Sequence, residues 1–224
     1  MATLQIVIEQ HPALSVCAFA CELPRTLSEF ALPEATALLT GAAPTALPPI
    51  DDQVRAHVRN MLRARGYKPT GRGKPSSEYL ARTRAEGDVR AINAAVDACN
   101  ALSLHSGLPI SVLDRSLLRA PLSIRCGQDN EQYVFNATGQ TIALAGLPCL
   151  CDAAGPCANA VKDAQRTKTS DTTRSTLSVI WASRALRERC ERTYELYCSL
   201  LRAAGARIET VDLTEEAAAI DDAR

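Results

Sequence analysis

Residues 92–114 read INAAVDACNALSLHSGLPISVLD. Val89, Ile92, Val96 and Cys99 recur at the three- and four-residue spacing of a helix with one apolar face. Asp88 stands where it can cap that helix. Gly107 takes the place of a left-handed C-cap, and Pro109 prevents continuation. The segment predicts a helix from about Asp88 to Ser106. At about 100° per residue, Asn93, Asp97 and Asn100 fall in a narrow stripe beside its apolar face. Two amides and a carboxylate at the border of a core can bind an amino group and a carbonyl, or orient a water. The same groups also cap and brace loops. His105, near the helix end, can act as a general base or meet a phosphate, or it can simply face solvent and the helix dipole.

Upstream, Val54, Val58, Met61 and Leu62 predict a helix from Asp52 to Arg65, stopped by Gly66. Arg55, Arg59 and Arg63 recur every four residues on another face. Between Val54 and Ser77 stand seven basic residues, those three with Arg65, Lys68, Arg72 and Lys74, and no acidic one. Such segregation suits phosphate contact or an ordinary solvated face. The loop YKPTGRGKPSSEYL excludes regular structure until Ser76 or Ser77 caps a helix to about Glu86. LQIVIE and LSVCAFA read as strands, and the four prolines of Leu32–Pro49 read as a connection.

Downstream the period changes to two. LSIRC, QYVFN and TIALA, separated by GQDNE and ATGQ, predict an antiparallel meander. In TLSVIWA, Leu177, Val179 and Trp181 point inward. A last helix carries Leu186, Cys190, Tyr194, Tyr197 and Leu201 and stops at Gly205. From Asp212 the acidic end reads as a loose tail. The expected fold is α+β, helices grouped in the first half and mainly antiparallel sheet in the second. The expected organisation is a segment 1–50 packed on a main domain 51–206, with 207–224 as a strand or acidic tail. No dinucleotide fingerprint or P-loop is present, and GRGKPSS lacks the required spacing, so no nucleotide cofactor is expected.

The 25 basic and 25 acidic residues cancel, and only 4% of residues are aromatic. A nucleic-acid surface would therefore depend on local segregation of charge rather than on stacked rings. The opening MATLQIVIEQHPALS shows no secretory pattern and no apolar run is long enough to span a membrane, which suggests a cytosolic protein with reduced thiols. Cys149, Cys151 and Cys157 form a CxC followed by a third cysteine with no histidine nearby as a fourth ligand. They read as free thiols, with no metal expected.

Ile92, Asn93, Val96, Asp97, Asn100, Gly107, Pro109 and Asp114 together resemble the signature helix and turn of the tRNA-binding and editing domain of the phenylalanyl-tRNA synthetase beta subunit. KPTGRGKPSSEYL is similar to the entry loop of free-standing members of that family, and DAQRTKTSDTTRSTLSVI to their hydroxyl-rich loop and last strand. The resemblance runs from about Arg55 to Ala204. CANAVKDAQRT departs from it, since bulkier aromatic and basic residues are expected there. The resemblance implies the α+β fold of that domain, a tRNA or aminoacyl-tRNA partner, and hydrolysis of the ester of mischarged aminoacyl-tRNA without charging of tRNA. Alternatives are a non-catalytic tRNA or amino-acid binding module and a metal-dependent hydrolase of another ester or amide. Asn93, Asp97, Asn100 and His105 become candidate catalytic residues. Ser76, Ser77, Thr167, Lys168, Thr172 and Arg174 are candidate substrate contacts, with Thr169, Ser170 and Thr173 in the same loop. Arg55, Arg59, Arg63, Lys68, Arg72 and Lys74 are candidate RNA contacts.

Overall fold

The computed structural model describes residues 3–41 and 43–216. Its strands are β1 Leu4–Ile8, β2 Leu14–Glu22, β3 Ile110–Asp114, β4 Leu122–Cys126, β5 Gln132–Val134, β6 Thr141–Ala143, β7 Pro148–Asp152, β8 Gly155–Asn159, β9 Ser175–Ser183 and β10 Arg207–Glu215. Its α-helices are α1 Pro33–Thr40, α2 Asp52–Arg63, α3 Ser76–Ala85, α4 Ala94–Ser106 and α5 Arg187–Ala203. Eight strands form one sheet in the order β3-β9-β2-β10-β1-β4-β7-β8. Only the pairings of β1 with β10 and with β4 are parallel; the rest of that sheet is antiparallel. The fold is mixed α+β, as the change of period along the sequence predicts.

The sheet is buried on both faces, and strand parity divides the core in two. Phe19, Cys21, Ile180 and Ala182 face a cluster shared with α1, α4 and α5. Ala18, Ala20, Leu177, Val179 and Trp181 face a second cluster, the inner core, closed by β4, β7 and β8. Leu177, Val179 and Trp181 do point inward, while Ser178, Ile180 and Ala182 are buried as well because helices cover the other face. α2 serves both clusters, Val54 and Val58 in one and Met61 and Leu62 in the other. Phe19 and Tyr197 meet edge to face with centroids 4.9 Å apart, which fixes α5 against β2.

Several elements differ from the sequence reading. α4 begins at Ala94, because Asn93 rather than Asp88 is its N-cap: the Asn93 carboxamide accepts the Val96 N–H at 3.0 Å. Pro75 occupies the N-cap position of α3, and neither Ser76 nor Ser77 caps it through a side chain. LSIRC joins no meander with its successors. β4 pairs with β1 and β7, while β5 and β6 form a separate hairpin. The acidic end does not leave at Asp212: Val211–Glu215 lies parallel to Leu4–Ile8, Val211 packing into the inner core. The rest of the expected tail, from residue 217, lies outside the described residues. Gly107 has φ 73° and returns its N–H to the Ser103 carbonyl, as its sequence context requires. Among the described residues no helix is long and apolar enough to cross a membrane.

Candidate functional site

β3 and β8 are the two ends of the sheet, yet side chains join them. The Ser111 hydroxyl on β3 lies 2.7 Å from Asp163 Oδ1 and 3.3 Å from the Asn159 carbonyl. It accepts the Trp181 indole N–H at 3.0 Å. A hydroxyl has one proton, so its two acceptors compete. The ionised carboxylate takes it.

Asn159 shapes the loop that carries this carboxyl. Its side-chain oxygen accepts from Val161 N–H at 2.8 Å and Lys162 N–H at 2.9 Å, and its amide donates to the Tyr133 hydroxyl. Tyr133 donates in turn to the Lys162 carbonyl at 2.5 Å. The Asn159 N–H points at Asp163 Oδ1 from 3.3 Å. Burial pushes the Asp163 carboxyl up to about 7, with Ser111, the Asn159 N–H and the positive charge of Lys168 holding it back. Burial raises the thiol of Cys99 on α4, and the nearby Asp163 charge adds to the rise. Lys162 lies over the Phe135 ring, 3.8 Å from its centroid, and Lys168 donates to the Phe135 carbonyl at 2.6 Å. Arg72 is close enough to Lys162 to depress its ammonium pKa, after burial. The rim of this seam between β3 and β8 is therefore basic.

The expected site residues divide among several places. The Asn93 amide reaches Thr169 at 3.5 Å, which joins the start of α4 to the hydroxyl-rich loop, and Asn100 is half-buried on the same side of the helix. Asp97 is 4% exposed and accepts the Ile92 N–H at 2.8 Å. It lines a cleft against α1. The His105 ring shares a 2.9 Å hydrogen bond with the Leu38 carbonyl. Thr167 is fully buried and donates to the Cys157 carbonyl at 3.2 Å, while Thr172 is exposed beside Ser170 and Arg174 donates to the Pro24 carbonyl at 3.2 Å. Thr173 donates to Asp114 at 2.5 Å in the interior. Ser76 donates its N–H to the Ala160 carbonyl, and Ser77 is buried.

The basic residues are also unequal. Arg59 makes two short bonds to Glu78, 2.6 and 2.5 Å, tying α2 to α3. Arg55 pairs with Asp52, Arg63 bonds the Asn60 side chain, and Arg65 donates to the Gln10 carbonyl. Lys68, Arg72 and Lys74 are exposed.

Cys149, Cys151 and Cys157 lie in the inner core, their thiols directed at backbone carbonyls. Burial holds Cys149 and Cys157 well above the usual thiol range and Cys151 at about 11. Among the described residues no three His, Cys, Asp or Glu side chains converge in a way that could hold a metal ion. Ser111, Asn159 and Asp163 carry no role in the sequence reading, although Ser111 lies in the signature stretch and Asp163 opens the hydroxyl-rich segment. Asn159 and Asp163 also lie in CANAVKDAQRT, which departs from the resemblance, and 52 residues separate Ser111 from Asp163.

The structure is similar to an N-terminal fragment of the phenylalanyl-tRNA synthetase beta subunit from Pyrococcus horikoshii, at 10% sequence identity and a TM-score of 0.51. That likeness covers 95% of this chain and 52% of the other, so this chain spans about half the length of the fragment it matches. No curated protein sequence matches the chain significantly. The B3/4 domain model matches residues 62–195, which holds α3, α4, β3 to β9, the seam and much of α5. With more than half of its length matched, the chain belongs to the B3/4 domain family.

Proposed function

We propose that this chain acts on aminoacyl-tRNA and hydrolyses the ester of a mischarged one at the β3–β8 seam. The observation that carries the reading is the Asp163 carboxyl, raised to about 7 and held by Ser111 and the Asn159 N–H, with Lys168 of the hydroxyl-rich loop near enough to act on its charge; Asn93 meets that same loop at Thr169. A base works best when its pKa lies near the working pH. The Asp163 carboxylate accepts a proton from water, whose oxygen attacks the ester carbonyl. The ribose oxygen then leaves, taking that proton back, and no covalent enzyme intermediate forms.

Asn93 and Asn100 supply amides to the carbonyl and ammonium of the aminoacyl group, and Lys168, with Ser76 and Thr172 further out, contacts its ribose. Lys68, Arg72 and Lys74, with Arg55 and Arg63, meet the phosphates. His105, Thr167, Arg59 and Arg174 hold elements in place through the bonds they make, Ser77 is buried, and Asp97 braces the Ile92 N–H with one oxygen while its carboxyl lines the α1–α4 cleft. Membership in a family whose fold occurs in a phenylalanyl-tRNA synthetase beta subunit supports tRNA as the partner. The test is single-turnover deacylation across a panel of mischarged tRNAs. A chain that binds charged tRNA but never speeds ester loss would be a binding module instead.

A further inference from the structure

An open cleft of about 590 Å³ lies between α1 and α4, within the range of small-ligand sites, and none of Ser111, Asn159 and Asp163 lines it. Phe30, Leu32, Pro33, Ala37 and Ala94 give it apolar walls. Its polar groups are Thr36, Thr40 and Asp97, and no Lys, Arg or His lines it. Thr40 spends its hydroxyl on the Thr36 and Ala37 carbonyls, at 3.0 and 3.3 Å.

Asp97 is thus a carboxylate set in an apolar cleft without a cation. One oxygen holds the Ile92 N–H, and the Thr36 hydroxyl faces the carboxyl across the cleft. Burial raises its pKa, with those two donors opposing. A carboxylate desolvated to this degree gains most from a partner that brings positive charge, and the walls favour one with an apolar body. A ligand with its own free carboxylate would find nothing here to pair with it.

We propose that the α1–α4 cleft is a binding site for a small organic ammonium with an apolar body and no free carboxylate, its nitrogen on Asp97 and its body against Phe30, Leu32 and Pro33. The cleft shares no lining residue with the Ser111–Asn159–Asp163 group, and binding there does not depend on whether the chain hydrolyses any ester.

The test is an NMR titration with three probes of similar shape, 2-phenylethylamine, 2-phenylethanol and 3-phenylpropionate. The expected result is that the amine shifts the resonances of Thr36, Ala37 and Ala94 and binds at least about tenfold tighter than the alcohol, with no carboxylate binding, the margin of one well-placed charged contact. Asp97→Asn should reduce the amine to the level of the alcohol. Ala37→Phe fills the cleft and should abolish binding of both, with folding checked by its spectrum; it decides the matter if Asp97→Asn fails to fold. Equal binding of amine and alcohol, a preference that survives Asp97→Asn, binding that survives Ala37→Phe, or no shift with any probe would each overturn the proposal.

Discussion

Ser111 and Asp163 stand 2.7 Å apart, hydroxyl to carboxylate, and together they join the two ends of an eight-stranded sheet. The pair holds β3 against the loop that follows β8. It also gives the protein a half-buried carboxyl whose pKa is raised to about 7.

That titration has a definite sign. The Asp163 carboxyl moves from an ordinary 3.8 to about 7 in the folded chain. Between those values the folded state keeps a proton that the unfolded chain has released, so stability falls as pH rises through the interval, by at most about 1.4 kcal/mol per unit. His11 works in the opposite direction. Its Nδ1 accepts the Leu14 N–H at 2.9 Å, and burial, aided by Arg65 and Arg184, lowers its pKa to about 4, so its share of stability is lost as pH falls from 6.5 towards 4. Asp163→Asn keeps an acceptor for Ser111 and removes the titration. Urea unfolding from about pH 5 to about pH 8 should show wild type losing stability relative to this variant as pH rises. Parallel curves would mean that Asp163 titrates normally.

The Arg59–Glu78 pair predicts that the basic stripe of α2 cannot be tested as a unit. Arg59→Glu should lower stability by about 1 to 3 kcal/mol, because it replaces a bidentate ion pair with repulsion between two carboxylates. Changing Lys68, Arg72 and Lys74 to Glu should leave the melting temperature nearly unchanged and reduce the log-log salt slope of tRNA binding by about 0.7 to 0.9 for each phosphate no longer neutralised. A slope unaltered in the loop triple variant would place the RNA on another surface.

Asn93→Ala removes the side-chain cap of α4 and should cost about 0.5 to 2 kcal/mol, whereas Asp88→Ala should cost little. Thermal unfolding of both variants checks this assignment. Equal losses would restore Asp88 as the start of the helix.

Of the nine thiols, Cys17 and Cys126 are half-buried and seven are buried. A native thiol titration with a disulfide reagent should modify those two first, with the Cys149, Cys151 and Cys157 trio reacting only on unfolding. Chelator should not shift the melting temperature. Early modification of the trio, or a stoichiometric metal, would contradict the buried-thiol reading.

The local sequence code was enough for the fold class. Gly107 and Pro109 end α4 wherever tertiary contacts lie, and the alternation in TLSVIWA marks β9 on its own. Strand partners were not legible in the same way. LSIRC and QYVFN look equally fit to pair, and the long-range pairing of β4 with β1 and β7 decides otherwise. The stripe of Asn93, Asp97 and Asn100 was visible as a pattern, but helical spacing does not say what stands opposite. α1, from a Pro-rich segment that reads as a connection, faces Asp97, while Thr169 meets Asn93. Asp163 had no local signal at all. Its character comes from Ser111, itself bonded by Trp181, and from the Asn159 N–H, brought together where the two ends of the sheet meet through side chains.

In the proposed reaction Asp163 takes the proton of the attacking water. The most direct test is single-turnover deacylation of a mischarged tRNA by wild type and Asp163→Asn, measured across neutral pH on protein shown to be folded. Wild-type rate should rise with pH and level off above about 7, and the variant should lose about 10²- to 10⁴-fold together with that pH dependence. A folded Asp163→Asn that hydrolyses the ester at the wild-type rate, with the same pH profile, would contradict this role of Asp163.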